Sequence, residues 1–303
     1  MDPVIVLFGL GVGILVGLTG IGGGSLMTPL LIVVAGIKPT VAIGTDLAYG
    51  AITKTLGGWR CWRDGEVDLS LSKWLAVGSV PGSLAGVIIL SRLHHRYGNG
   101  FDDTLLYCVA GALLVVSVSI LFRALFLPGA VLRERPAVPL AGRTKALAAG
   151  IGLVLGLVLG MTSVGSGALI GLALILVFRL TPHRVVGTDV FHAAILLWVA
   201  GIAHWVSGNV DFGLMANILV GSLPGVYVGT LLLPRVSAGA LRPILGCVLL
   251  GSALGVLSKA GVNVPVGAIV GIPAAVGVVA WVVARARRGT VQPAVSPSPE
   301  GAS

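Results

Sequence analysis

Gly17-Leu-Thr-Gly-Ile-Gly-Gly-Gly24 is the stretch that decides the fold, because a related stretch, Gly160-Met-Thr-Ser-Val-Gly-Ser-Gly167, follows 143 residues later. The same offset relates Gly44-Thr45-Asp46 to Gly187-Thr188-Asp189, and Gly78-Ser-Val-Pro-Gly82 to Gly221-Ser-Leu-Pro-Gly225. Apolar sequence matches itself easily by chance, but a constant ungapped offset that includes Asp, Pro and Thr does not arise in that way. The pattern therefore predicts two copies of one structural unit.

The composition is that of a chain that lies in lipid. Of its 303 residues, 56% are hydrophobic and 10% are charged, and the mean hydropathy is +1.03. A soluble domain carries about 25% charged residues, so this chain lacks the charge to cover a wetted surface. Apolar runs such as 105–122 and 241–257 have about the length that spans hydrocarbon as a helix. We expect an all-α polytopic membrane protein.

The net charge of +9 indicates membrane topology rather than a nucleic-acid partner, because nearly all basic residues flank apolar segments. The lipid bilayer is the partner that we expect. Cys61, Cys108 and Cys247 form no metal-ligand spacing, so neither a metal nor a cofactor is predicted. Residues 1–3 lack a basic n-region, so we expect the first apolar segment to belong to the fold. Whether the chain forms a homo-oligomer stays open.

Each predicted unit starts with an interrupted apolar segment and continues with three helices. The first unit covers residues 1–123, a cytoplasmic linker covers 124–144, and the second unit covers 145–260. An extra transmembrane helix at 261–284 and a disordered cytoplasmic tail at 285–303 complete the chain. The predicted helices are 4–18, 25–37, 41–60, 71–91, 103–123, 145–161, 168–180, 185–206, 212–233, 240–257 and 264–284.

The interrupted segments could cross the membrane once or form hairpins that return to the same side, and the positive-inside rule distinguishes these topologies. With Lys54 left out as intrahelical, a single crossing divides the other Lys and Arg residues 10 to 9. A hairpin divides them 15 to 4 and leaves only Lys38, Arg92, Arg96 and Lys259 outside. The hairpin therefore predicts two inverted repeats, seven to nine transmembrane segments, an outside N-terminus and a cytoplasmic C-terminus.

Inverted repeats with broken helices are typical of alternating-access transporters, which bind substrate at the repeat interface. The breaks here lie at 20–25 and 163–168, and each is followed by a short helix. Free N–H groups at a helix start carry about half a positive charge and can bind an anion without a basic residue. The alternative is a pair of glycine hinges that only permit close packing. Because two breaks occur at matching positions, a substrate site is favoured.

Several ionisable residues fall within apolar helices, where a charge costs about 2.5–3.5 kcal/mol. Asp46 and Asp189 are related by the repeat and could carry protons or gate the pathway, or they could cap the helices that begin near Pro39 and Pro182. Lys54 aligns with Leu197 of the second unit and could hold an anion, neutralise a carboxylate or reach the headgroups. His192 and His204 could each shuttle protons, but polar packing is the simpler interpretation for both.

The sequence resembles the sulfite exporter TauE/SafE family of membrane permeases. The resemblance covers about residues 5–257 and is carried by 17–24, by Pro39 with Ala42-Ile-Gly44-Thr45, and by Gly165-Ser-Gly167 with Gly187-Thr188. It implies transport of sulfite, sulfonates or related small anions across the bacterial inner membrane. Together with the two breaks it implies these substrate-binding candidates: Gly22, Gly23, Gly24, Ser25, Thr45, Gly165, Ser166, Gly167 and Thr188. Asp after each Gly-Thr pair departs from the Ser or other small residue that we expect in many members.

The predicted function is therefore a secondary transporter that exports small anions, with proton coupling as a hypothesis. The inside-negative potential drives anions outward by about 2.3 kcal/mol per charge per 100 mV. The alternative is a cation or metal-ion transporter that uses Asp46 and Asp189, although two carboxylates make a poor metal cage. No enzyme activity is expected, since Ser166 lacks the nucleophile-to-base spacing of a hydrolase.

Overall fold

A computed structural model describes residues 3–19, 24–98, 100–126, 138, 141–165, 167, 169–232 and 238–288. This part of the chain contains eleven helices and no strand, so the predicted all-α fold is confirmed. The helices are α1 (Pro3–Thr19), α2 (Gly24–Val33), α3 (Pro39–Arg63), α4 (Leu69–Tyr97), α5 (Gly100–Phe126), α6 (Gly142–Thr162), α7 (Leu169–Leu176), α8 (Pro182–Val206), α9 (Phe212–Leu232), α10 (Ala238–Lys259) and α11 (Val266–Arg288).

Five of the described helices are both long enough and apolar enough to cross a bilayer, namely α4 to α6, α8 and α9. Three more, α3, α10 and α11, have 25, 22 and 23 residues. At 1.5 Å per residue these three are also long enough to span about 30 Å of hydrocarbon. The chain is a polytopic membrane protein, as its composition predicts.

Every described helix begins within three residues of its predicted start, but α2 and α7 end four residues earlier than predicted. Each is followed by a residue with left-handed backbone, Gly36 with φ +66° and Arg179 with φ +55°. Each is also followed within a few residues by a proline, Pro39 or Pro182, which starts the next helix. With 10 and 8 residues, α2 and α7 measure about 15 Å and 12 Å, so neither can span hydrocarbon.

Two interfaces built on glycine hold the two halves together. Helix α1 packs on α9, and α6 packs on α4, and these two pairs are related by the offset of 143 residues. A Cβ on Gly9 would lie 2.8 Å from the carbonyl oxygen of Ile218, and one on Gly86 would lie 2.5 Å from that of Leu157. Backbones can approach this closely only where side chains are absent. The glycines that face backbone in this way are Gly9, Gly13, Gly17, Gly78, Gly82, Gly86, Gly152, Gly156, Gly160, Gly221, Gly225 and Gly229.

Helices α3 and α8 run in opposite directions through the centre of the protein. Residues later in α3 contact residues earlier in α8: Ala48 contacts Gly201, Gly50 contacts Leu197, and Gly57 contacts Val190. If each interrupted segment crossed the membrane once, each unit would have an even number of crossings and α3 and α8 would be parallel. The antiparallel packing agrees with the hairpin interpretation and with an inverted second unit.

The described helices extend slightly past the predicted domain boundaries. Helix α5 continues to Phe126 and α6 begins at Gly142, so both reach into the segment predicted as a linker. Helix α11 continues to Arg288, four residues into the predicted tail. The rest of that tail, 289–303, lies outside the described residues.

Candidate functional site

Asp46 lies where the two halves of the protein meet. It is fully buried in the second turn of α3. Its Oδ2 accepts a hydrogen bond from the Thr28 hydroxyl on α2 at 2.5 Å and another from the Ser163 hydroxyl at 2.8 Å. Ser163 is the left-handed residue that ends α6, with φ +58°. One carboxylate therefore joins the short helix of the first unit to the break of the second.

The break after α6 uses glycine for conformational reasons. Gly165 and Gly167 have φ of +113° and +157°, which an L residue with a side chain rarely adopts. The Gly167 N–H donates to the Gly165 carbonyl at 2.7 Å, and the Val164 N–H donates to the Thr162 hydroxyl at 3.2 Å. Val164 and Ser163 are fully buried. The chain is thus turned inside the protein, between α6 and α7.

Thr45 and Thr188 each hold a loop of the opposite half. Thr188 accepts a hydrogen bond from the Asp68 N–H at 2.9 Å, and Thr45 accepts one from the Asp211 N–H at 3.1 Å. Asp68 in turn caps α4 by accepting from the Leu71 N–H at 3.0 Å, and Asp211 caps α9 in the same way. In this structure both threonine hydroxyls, which are predicted substrate ligands, accept hydrogen bonds from backbone N–H groups of the opposite half.

The glycine before each threonine permits the loop backbone of the opposite half to approach the helix closely. A Cβ on Gly187 would lie 2.6 Å from the carbonyl oxygen of Glu66, and one on Gly44 would collide with that of Asn209. The Gly-Thr pair therefore lets a loop backbone approach a helix and gives its N–H group an acceptor. The same arrangement occurs at both repeat-related positions.

Asp189 occupies the position of Asp46 in the second unit but has different neighbours. The residue that corresponds to Thr28 is Gly171, so no hydroxyl is available from α7. The residue that corresponds to Ser163 is Gly20, which lies outside the described residues. A buried basic residue, Lys54 of α3, lies in the same central region as both carboxylates.

Lys54 is buried, with 5% of its surface exposed. Its side chain therefore does not extend to the lipid headgroups, which is one of the interpretations that the sequence allows. It lies four residues from Gly50 and from Gly58, which contact Leu197 and Phe191 of α8, so it shares the face of α3 that packs on the other half of the protein. The equivalent position in the second unit is Leu197. The two units therefore contribute different charges to the centre of the protein.

His192 follows Asp189 by one helical turn and lies against α4. Its Nε2 is 3.1 Å from the Ser79 hydroxyl, and the residue is 1% exposed. Tyr49 occupies the equivalent position in the first unit and lies beside Ser222, the counterpart of Ser79. An imidazole in one half thus corresponds to a phenol in the other.

His204 has a packing role in this structure. Its Nε2–H donates to the carbonyl of Gly160 at 2.9 Å, in the last turn of α6. Carbonyls near a helix C-terminus lack intrahelical partners, so this imidazole satisfies one of them beside the break. His204 is fully buried.

The predicted substrate ligands are only partly brought together among the described residues. Ser25 is buried in the first turn of α2, which begins at Gly24. Gly165 and Gly167 lie in the break beside Ser163. Gly22, Gly23 and Ser166 lie outside the described residues.

Thr28, Ser163 and Tyr49 belong to the site, but the motifs do not single them out. Thr28 could have been found as one of the two hydroxyl residues, with Ser25, in the apolar short helix. Ser163 could have been found because the equivalent residue of the first unit is a glycine, Gly20. Among the residues that the structure describes, no group of three His, Cys, Asp or Glu side chains could hold a metal ion.

Two interlocked helical halves, broken helices and buried carboxylates at their junction define a polytopic membrane transporter. The profile of the family described as Sulfite exporter TauE/SafE matches residues 5–256. The chain belongs to this family, as the motifs predict.

Curated relatives are described as transporters too. The probable membrane transporter protein YjnA of Bacillus subtilis (strain 168) is 42% identical over 257 residues, which cover 84% of this chain and 99% of the relative. The probable membrane transporter protein YdhB of the same organism is 30% identical over 247 residues, or 78% of this chain and 95% of the relative. A probable membrane transporter protein of Xylella fastidiosa (strain 9a5c) is 26% identical over 268 residues, which cover 85% of this chain and 96% of the relative. No solved structure gives a significant match.

Proposed function

We propose that the protein is a secondary transporter that exports small anions, sulfite and sulfonates among them, by alternating access. The observation that carries this proposal is the contact between Asp46 of one half and Ser163 at the break of the other. A transporter that alternates between two open states needs a central element that both halves share. The family description, sulfite exporter, supports an oxyanion of sulfur as the cargo.

The breaks supply the chemistry for a negative substrate. Helices α2 and α7 begin directly after them, and the first N–H groups of a helix have no intrahelical acceptor. These groups, together with the hydroxyls of Ser25 and Ser166, are the ligands that we assign to the anion. Oxyanions are well suited to such donors, because each oxygen accepts several hydrogen bonds.

Export and proton coupling complete the proposal. We assign the N-terminus to the outside and the C-terminus to the cytoplasm. The inside-negative membrane potential drives an anion outward by about 2.3 kcal/mol per charge per 100 mV. Asp46 and Asp189 are the groups that we assign to proton coupling, with Lys54 and His192 as gating residues around them. Buried carboxylates at membrane depth commonly serve as proton relays.

The direct test is a flux assay with the purified protein in proteoliposomes. Sulfite, a small alkyl sulfonate, thiosulfate and divalent cations are offered separately, and empty liposomes are the control. Saturable movement of an anion supports the proposal. Saturable movement of cations without any anion would overturn it in favour of a cation transporter that uses Asp46 and Asp189.

A further inference from the structure

The two Gly-Thr contacts between the halves differ in strength. In the proposed topology, the contact of the 64–68 loop with the start of α8 lies on the cytoplasmic side, and we call it the cytoplasmic joint. The repeat-related contact of the 207–211 loop with the start of α3 lies on the outside and is the external joint. Both joints contain the threonine-to-backbone hydrogen bond, the closely packed glycine and the helix cap described above. Beyond these shared contacts the two joints are not alike.

An arginine reinforces the cytoplasmic joint. Arg184, in the first turn of α8, donates a hydrogen bond from Nη1 to the carbonyl oxygen of Val67 at 2.9 Å. A hydrogen bond from a charged donor is stronger than one between neutral groups. The residues equivalent to Arg184 and Val67 are Val41 and Val210. Because a valine side chain has no donor, the external joint lacks this bond.

The segment that connects the two units also attaches to the cytoplasmic joint. The Val138 N–H donates to Oδ2 of Asp68 at 3.3 Å, and the Val138 side chain packs against the core. Asp68 is only 7% exposed, whereas its equivalent Asp211 is exposed. Among the residues that the structure describes, the cytoplasmic joint is therefore the more buried of the two and contains more hydrogen bonds.

The cytoplasmic joint lies between the buried centre and the cytoplasm. Arg184 precedes Asp189 by five residues, which is about 7.5 Å along α8. Helices α4 and α8 meet at the joint and again deeper in the protein, where the Ser79 hydroxyl lies 3.1 Å from His192 Nε2. Separation of the start of α4 from the start of α8 is therefore the movement that would open the centre towards the cytoplasm.

We infer that Arg184 is a gating residue that holds the transporter closed towards the cytoplasm. Its hydrogen bond to Val67 must break before an anion can enter from that side, and opening to the outside breaks fewer hydrogen bonds. The inference rests on the proposed function, because it takes alternating access and the proposed topology as given. It does not depend on the coupling ion, and it leaves the outward driving force on the anion unchanged.

The test measures which side of the protein opens, with one reporter cysteine at each end. The native cysteines are replaced by serine in the full-length protein, and Leu71→Cys and Leu214→Cys are introduced separately. These two leucines are repeat-related and buried, and each lies in the first turn of the helix that follows its joint. An impermeant maleimide is applied to right-side-out and inside-out membrane vesicles without any anion substrate. Each reaction rate is divided by the rate of the unfolded protein.

The variant Arg184→Met keeps an unbranched apolar stem and removes the donor. We expect it to raise the rate at residue 71 from the cytoplasmic side by about tenfold, which corresponds to about 1.4 kcal/mol. The rate at residue 214 from the outside should stay the same or fall. Arg179→Met is the matched control, because it removes the same charge from the same side, where the structure describes no hydrogen bond from the Arg179 side chain. Neither rate should change in this control.

Transport gives a second measurement. The cytoplasmic anion binds only the state that is open to the cytoplasm, so a larger population of that state lowers its apparent dissociation constant by the same factor. In Arg184→Met we expect the half-saturating sulfite concentration on the cytoplasmic side to fall by up to tenfold, while the outside value does not fall. Arg179→Met should behave as the wild-type protein does.

A general loosening of the protein gives a different result from the loss of a gate. Similar increases at residues 71 and 214 in Arg184→Met would overturn the inference, and so would an unchanged rate at residue 71 or an increase there from the outside. If Arg184→Met does not fold, the wild-type rates decide: residue 71 reacting faster from the cytoplasm than residue 214 from the outside would overturn the inference. Absence of saturable sulfite flux in the wild-type protein would overturn the proposed function, whereas the labelling rates are measured without any flux.

Discussion

The Thr188 hydroxyl accepts a hydrogen bond from the backbone N–H of Asp68 at 2.9 Å and so fixes the start of α4 to the opposite half of the protein. Thr45 and Asp211 repeat this contact at 3.1 Å. Because each hydroxyl serves a backbone group of the other unit, the Gly-Thr motif acts in this structure as a joint between the halves. Movement of the two halves against each other during transport would strain these two hydrogen bonds.

We expect Thr188→Val to destabilise the protein by about 1–3 kcal/mol, because it leaves the buried N–H of Asp68 without an acceptor. Thr188→Ser keeps the hydroxyl and is the matched control. The thermal midpoint of the detergent-solubilised protein measures the difference. Equal midpoints for the Val and Ser variants would show that the hydroxyl does not hold this joint.

The glycine interfaces give a second prediction with a control on the same helix. A Cβ on Gly13 would meet the backbone of Ser222, whereas one on Gly11 would meet nothing within 4 Å. Gly13→Ala should therefore cost about 1–3 kcal/mol through overpacking. Gly11→Ala should be neutral or stabilise by up to about 1 kcal/mol, because alanine favours the helix. Yield and thermal midpoint are the measurements, and a tolerated Gly13→Ala would contradict the close packing of α1 on α9.

The hairpin topology predicts which loops share a side of the membrane. After the native cysteines are replaced by serine, Lys38→Cys and Ser207→Cys should react with an impermeant maleimide from outside. Asp64→Cys and His183→Cys should react only after the membrane is opened. All four residues are exposed. Labelling of residues 38 and 207 from opposite sides would support a single crossing of each interrupted segment and reject the inverted arrangement.

His204 gives a prediction about the break. We expect His204→Ala to lower stability by about 2 kcal/mol or more, since it leaves a cavity and an unpaired carbonyl at Gly160. His204→Gln retains a donor and should recover part of the loss. His183→Ala, on the exposed start of the same helix, is the control and should change the thermal midpoint little. Equal effects of the Ala and Gln variants would mean that the hydrogen bond to Gly160 contributes nothing.

Much of the fold follows from patterns that short segments of chain carry. Helix starts are predictable because Pro39, Pro182, Asp68 and Asp211 act on the turn that follows them. The ends of α2 and α7 were predicted four residues too late, because apolar residues continue past the point where backbone such as that of Gly36 and Arg179 stops the helix. Apolarity shows where a segment can be buried but not where its hydrogen-bonding pattern ends.

The candidate site is less predictable. Asp46, Asp189 and Lys54 stand out in sequence because charge is rare in apolar helices. The partners of Asp46 do not, because Thr28 and Ser163 are ordinary hydroxyl residues at sequence distances of 18 and 117. The burial of Lys54 could not be predicted either, since a lysine stem of four carbons is compatible with both the headgroups and the interior.

The sequence by itself determined the lipid environment and the family, and it predicted a duplication at an offset of 143 residues, because these depend on composition and on local spacing. Only the tertiary structure decided that Asp46 accepts hydrogen bonds from hydroxyls of two interrupted segments, while the counterpart of Thr28 beside Asp189 is a glycine. The physical reason is that the repeat copies positions along the chain, but the surroundings of a buried charge come from helices distant in sequence. Equivalent positions therefore acquired unequal electrostatics.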